Sequence, residues 1–189
     1  MKNTGFTLIE LIAVIAIISF TITILIIKVE KNVKDADKFA NDREIEAIEN
    51  ATILYANEFY DELTDLKEKK VLIININTLI EKGYLSNKEL DSTNNDDKIL
   101  IAEIDNVIKV KYTKDEKNVI FLNGPSEVSL YQNDEYKELG AKVAIPNQGL
   151  IDLNSSNISG TVNNTIKGEY YILYAYDNAD TAKRKVNII

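Results

Sequence analysis

The chain has no cysteine and no histidine in 189 residues. Without cysteine there is no disulfide framework, thiol nucleophile or thiolate metal site. Without histidine the commonest general base and metal ligand is missing. The two absences argue against an enzyme, and no cofactor is expected. Basic residues are scarce too, with 22 Lys and Arg against 30 Asp and Glu, a net charge of −8, and a pI near 4.7. That balance argues against nucleic acid binding through a basic surface. Glycines number seven and prolines two, and neither occurs between Gly5 and Gly83. Nothing local breaks a helix over that stretch.

What fills it begins with Gly5-Phe6-Thr7-Leu8-Ile9-Glu10 and the apolar run Leu11 to Ile27. From Phe6 to Ile27, at ~1.5 Å per helical residue, the span is roughly 33 Å, enough to cross a bilayer's hydrocarbon core. Glu10 is the carboxylate inside that run, and an ionised side chain there costs about 2–3 kcal/mol. A charge kept at such a cost calls for a partner. The run is too long for the core of a cleaved secretory signal, and Ile26-Ile27-Lys28-Val29-Glu30 offers no small-residue cleavage pattern. A plain signal anchor remains the alternative, and Lys2 favours an inside amino terminus in either case.

Gly5 through Glu10 followed by an apolar helix resembles the processing site of type IV prepilins and pseudopilins. The resemblance implies that a prepilin peptidase cuts after Gly5 and methylates the new terminal amine of Phe6. It further implies that Glu10 pairs in the assembled filament with the terminal amine of a neighbouring subunit, since a buried carboxylate is tolerable when matched by a cation. Two departures stand out. Thr4 precedes the glycine where the family commonly has Lys or Arg, and Ile27 occupies the position of the mid-helix proline of many pilins.

Beyond the run, Val29, Val33, Ala36, Ala40, Ala47, Ala51, Tyr55, Phe59, Leu63 and Leu66 recur at helical spacing, opposite Lys31, Lys34, Asp35, Lys38, Asp42, Glu46 and Glu49. The pattern predicts one helix over 6–66, roughly 90 Å long, with its 6–27 half in the membrane. Residues 67–122 then read as a small α/β head. Val71 to Ile76 is a strand, and a short helix is capped by Asn77 and closed by Gly83. Leu79 to Leu85 is similar to the segment after the stem in many Gram-positive pilin-like proteins. Strands over Ile99 to Ile104 and Val107 to Tyr112 flank a two-residue turn at Asp105-Asn106. Val119 to Leu122 is a further strand, and the block is expected to pack on the helix stripe.

Asn123-Gly124-Pro125 marks the next boundary. Residues 123–189 read as all-β, with strands over Val128 to Tyr131, Ala141 to Ile145, Ile158 to Val162, Tyr170 to Tyr176 and Lys183 to Ile189. Two phrases resemble an Ig-like repeat of bacterial surface proteins: Tyr136 to Ala141, and the hairpin Lys167 to Asp177. Asn178-Ala179-Asp180 replaces that family's usual turn. The fold expected is therefore α+β: a long amino-terminal helix, a small β-rich head and a carboxy-terminal Ig-like sandwich.

Other signals have plainer readings. Tyr170, Tyr171, Tyr174 and Tyr176 would form a glycan platform only if strand alternation did not bury half of them. Asp177, Asn178 and Asp180, or Asp96 with Asp97, read as turn chemistry before a calcium site. Lys183-Arg184-Lys185 reads as the solvated part of an edge strand. Among thirty acidic residues no feature singles out the carboxylate pair a glycosidase needs. The expected role is a structural subunit, a minor one, of a type IV pilus or related filament. The partners expected are prepilin peptidase, other pilin subunits and the cytoplasmic membrane. A pseudopilin of a secretion or DNA-uptake machine and a membrane-anchored Ig-like binding protein are the alternatives.

Overall fold

The computed structural model describes residues 38, 40–86 and 90–189. The chain divides into two compact units, residues 1–44 and 45–189. The apolar run and the first part of the expected stem helix lie outside the described residues. Among the described residues no helix is long and apolar enough to cross a membrane.

Helix α1 covers residues 40–58. Its buried face in the second unit is Ile48, Ala51, Thr52, Tyr55 and Ala56, the i, i+3, i+4, i+7, i+8 pattern of a helix lying on a core. The expected stripe therefore needs correcting at Ala47, which is exposed, while Ile48 is fully buried. A row built on steps of four drifts about 40° per step around the helix, so the larger Ile48 takes the inward position. The Thr52 hydroxyl is satisfied by donating to Ile48 O at 2.7 Å. Glu49, expected on the solvated face, instead accepts the Tyr112 N–H at 2.9 Å and pairs with Lys111 at 3.2 Å.

The helix stops at residue 58 rather than running on to Leu66. A 3-10 turn at Tyr60–Glu62 follows, Leu63 leaves helical geometry, and a separate helix α2 spans Thr64–Lys69. No glycine or proline signals this break; tertiary contacts outvote local propensity. Phe59 turns in to pack its ring 5.3 Å from Tyr55 and 6.4 Å from Tyr84. Tyr60 reaches across to Glu103.

Strand β1 (Val71–Asn75) runs straight into helix α3 (Ile76–Glu81). Asn77 lies inside α3 and does not cap it. The first two N–H groups instead find Asp97 O at 3.1 Å and Asn95 O at 2.8 Å, so a neighbouring loop supplies the cap. The carboxyl end closes as expected: Gly83 takes φ +80°, its N–H bonds Ile80 O at 3.0 Å, and Tyr84 N–H bonds Leu79 O at 2.8 Å, a Schellman motif.

Strands β2 (Lys98–Ile104) and β3 (Val107–Lys114) form the expected hairpin, with left-handed Asp105 and Asn106 (φ 53° and 61°) at its turn. The sheet order is β1-β2-β3. One face packs on the helices through Ile74, Ile99 and Ile101. The other packs through Val71, Leu100, Ala102 and Ile104 against Val119 and Ala144. Cover on both faces explains why β2 is an almost unbroken apolar run.

Strand β4 (Val119–Leu122) does not belong with the strands before it. It pairs antiparallel with β6 (Ala141–Ile145) in a sheet ordered β4-β6-β7. β7 (Gly149–Asp152) is a strand the sequence pattern does not announce. The remaining strands, β5 (Glu127–Leu130), β8 (Ile158–Ser159), β9 (Gly168–Tyr174) and β10 (Ala182–Ile188), form a sheet ordered β5-β10-β9-β8. β10 is antiparallel to β9 and parallel to β5. The two sheets share a core of Ala141, Val143, Ile145, Leu153, Ile172 and Tyr174. β8 ends at Ser159, before the expected Val162, and Gly160 follows with φ +104°, outside strand geometry, its backbone so close to Tyr171 O that no side chain would fit.

Candidate functional site

The residues that carry the sequence-level site, Gly5, Phe6 and Glu10, lie outside the described residues. What the structure shows is the part of the chain such a helix would present.

Its most connected polar centre is Arg184. The sequence reads Lys183-Arg184-Lys185 as solvated edge strand; the structure corrects both points. β10 is an interior strand, inserted between β5 and β9, and Arg184 is fully buried. Alternation along β10 turns Arg184 inward with Val186 and Ile188, leaving Lys183 and Lys185 outside. The guanidinium uses all five of its donor positions. Nη1 bonds Glu138 Oε1 at 2.5 Å and the Tyr174 hydroxyl at 2.7 Å. Nη2 bonds Asn123 O at 2.5 Å and Gly140 O at 3.3 Å, and Nε bonds Pro125 O at 3.1 Å.

Glu138 also accepts the Tyr136 hydroxyl at 2.5 Å, the Gly140 N–H at 2.7 Å and the Tyr174 hydroxyl. Burial raises the Glu138 pKa, but the hydrogen bonds from Tyr136, Tyr174 and Gly140 and the Arg184 charge outweigh it and hold the carboxyl below its ordinary value. Burial and the same carboxylate push the Tyr174 phenol upward. The cluster ties the crossover at Asn123-Gly124-Pro125, where the chain passes from one sheet to the other, to the centre of the second sheet.

The four tyrosines separate as strand alternation requires. Tyr174 is core and Tyr170 is half-buried, with its hydroxyl donating to Ile166 O at 2.8 Å. Tyr176 packs at the edge of the same core. Tyr171 is exposed, beneath Lys183 at 4.7 Å. They do not form one platform.

Both acidic turns are occupied by local bonds. Asp97 is buried and accepts the Tyr112 hydroxyl at 2.6 Å and Asn94 N–H at 2.9 Å. Asp177 and Asn178 offer their carbonyls to Asn118, and Asp180 lies 3.6 Å from Lys117. Among the described residues no group of three acidic, histidine or cysteine side chains is placed to hold a metal. A buried carboxylate the sequence does not flag is Glu103 on β2, which accepts Tyr60 OH at 2.5 Å and Lys70 Nζ at 2.9 Å. Those bonds, Tyr60 first, keep it below the ordinary carboxylate range. Committed to two donors and anchoring the turn after α1, it acts as a strut.

Comparison with known proteins adds to this geometry. Residues 1–26 match the family described as the prokaryotic N-terminal methylation motif. No curated protein matches the chain. Among solved structures it is similar to the lipoprotein BT2262 from Bacteroides thetaiotaomicron, at 24% identity and a TM-score of 0.32. That similarity covers 38% of this chain and 37% of the other. The chain thus opens with a prepilin-type methylation motif, which supports a type IV pilin-like protein. The motif implies processing by a peptidase and assembly with other pilins at the membrane.

Proposed function

We propose that this chain is a structural, non-enzymatic subunit of a type IV pilus or related filament, and a minor one. In this reading prepilin peptidase cuts after Gly5 and methylates Phe6. The precursor sits in the cytoplasmic membrane as a single-pass protein, amino terminus inside, and the assembled subunit is extracellular. Glu10, costly in lipid, is neutralised in the filament by a neighbour's terminal amine, and that difference biases the subunit toward assembly. The observation that carries the reading is the methylation motif over residues 1–26.

The head is displayed for adhesion or for capping the filament. We read its last third as an Ig-like sandwich. The first edge of the sheet pair is split: β4 pairs antiparallel with β6 in one sheet and β5 pairs parallel with β10 in the other. Core-facing strands from both sheets meet at Val143, Ile172 and Tyr174. An appended domain of this kind favours a specialised subunit over the repeating one.

The test is Glu10→Ala, followed by measuring the fraction of subunit in sheared filaments against the fraction left in the membrane. The reading expects most of the variant to stay in the membrane. Equal incorporation of variant and wild type would overturn it. A pseudopilin of a secretion or DNA-uptake machine shares the leader and differs in the assembly genes beside it. A membrane-anchored binding protein would keep its first five residues.

A further inference from the structure

The head has a pole that its polar networks organise without filling. β9 and β10 run side by side from Tyr174 and Ala182 at one end to Gly168 and Ile188 at the other. Ala182 lines a groove with Lys111, Tyr112 and Thr113 of β3, so that end abuts the helix-bearing part of the unit. The opposite end lies roughly 20 Å away along the strands. It is built from the turn after β5, the loop before β9 and the end of β10.

These segments are stitched together. Gln132 N–H bonds Ile189 O at 3.0 Å and Asn133 N–H bonds Asn164 O at 2.8 Å. Gln132 Nε2 bonds Thr165 O at 2.6 Å, and Asn164 Nδ2 bonds Asp134 O at 2.9 Å. Tyr131 opens a tight turn in which its own N–H goes to Asp134 Oδ2 at 3.1 Å and Asn133 takes φ +75°. Despite this order Tyr131 is 71% exposed, the most exposed large apolar side chain among the described residues, and Ile166 is 58% exposed.

We propose that this pole binds carbohydrate, with the Tyr131 ring as the stacking face and the surrounding amides as hydroxyl partners. The proposal rests on the reading of the head as a displayed domain. An amphipathic tyrosine on a turn fixed by neighbours gives contact area at little entropic loss. The Gln132 and Asn164 amides, each held in place by one N–H on a backbone carbonyl, carry a second N–H for a ligand oxygen. A stable protein interface needs about 800 Å² per partner around a cluster of anchors, more than a pole whose exposed large apolar side chains are Tyr131, Ile166 and Ile189 supplies. Amides and hydroxyls outnumber charges here, and Asp134 commits one carboxylate oxygen to its own turn. A neutral hexose or N-acetylhexosamine fits that chemistry: its C–H face lies on the ring and its hydroxyls meet the amides.

The experiment takes the full chain in detergent micelles and measures binding to immobilised N-acetyllactosamine, N-acetylglucosamine oligomers and cello-oligosaccharides. Wild type binds at least one probe, Tyr131→Ala lowers that affinity about tenfold, on the scale of one lost aromatic contact, and Tyr131→Phe retains it. Tyr171→Ala, on the outer face of β9, leaves binding unchanged. Because Tyr131 is exposed, its variants melt with the wild type. The proposal is overturned if no probe binds, if Tyr131→Ala binds as wild type, or if Tyr171→Ala loses as much. Capture of a protein partner with no sugar bound also overturns it. Failure here with normal filament incorporation removes the carbohydrate and leaves the display reading standing. Sugar binding by a chain that is never processed does the reverse.

Discussion

Replacing Arg184 with alanine is the sharpest perturbation of the head. The substitution removes a buried guanidinium that makes five hydrogen bonds, two to side chains and three to backbone carbonyls. It leaves Glu138 without its cation and takes the Arg184 donors from the carbonyls of Asn123 and Pro125, while Gly140 O keeps the Asn123 N–H at 3.1 Å. Breaking a buried ion pair from one side costs about 3–5 kcal/mol. The Glu138 side chain is 29% exposed, so water takes up part of its lost solvation and the lower end, about 3 kcal/mol, applies. For a unit of this size that lowers Tm by about 10 °C. The assay is thermal unfolding by circular dichroism on wild type, Arg184→Ala, Glu138→Ala and the double variant. The double should lose less than the sum of the singles, with a coupling of about 1–3 kcal/mol, because the two residues touch. A Tm within about 3 °C of wild type for Arg184→Ala, or strictly additive singles, would refute the reasoning.

Two further outcomes follow from the same geometry. The folded-state pKa values of Glu138 and Glu103 both lie below the ordinary 4.5. Their contribution is therefore fully present above that value and lost as pH falls through the folded values. Tm measured between about pH 3 and pH 7 should hold level at the upper end and decline below pH 4.5, and Glu138→Gln should flatten the decline; a fall that begins near neutrality would contradict the assignment. On α1, Ile48→Ala should cost about 2–5 kcal/mol in urea unfolding, whereas Ala47→Ser should stay within about 0.5 kcal/mol. The reverse order would restore the stripe drawn through Ala47.

What the sequence makes legible is whatever local chemistry decides. Asp105-Asn106 must be a hairpin because its residues tolerate left-handed backbone and apolar runs flank it. Gly83 must end a helix for the same conformational reason. Gly5, Phe6 and Glu10 are readable without any structure, since their meaning lies in spacing along the chain. Apart from the stripe through Ala47, which is a matter of helical drift, the misreadings share one cause, which is that a neighbour distant in sequence decides. Lys183-Arg184-Lys185 has the composition of an edge, and only the insertion of β10 between β5 and β9 makes Arg184 a core residue. Helix α1 ends at 58 because of Tyr84 and Glu103, which no window around Phe59 contains. β4 changes company because its partner β6 arrives some twenty residues later. Nothing in the window around Tyr131 sets it apart from the tyrosines of β9, yet among the described residues the fold leaves it more open to water than Tyr171.

The central claim is that this chain is a prepilin-type precursor, and its mature amino terminus tests that most directly. Mass spectrometry of the protein from its native host should find a chain beginning at Phe6 with one added methyl group on the terminal amine. A chain that still begins at Met1, in cells whose prepilin peptidase processes other substrates, would contradict the account and leave a membrane-tethered surface protein in its place.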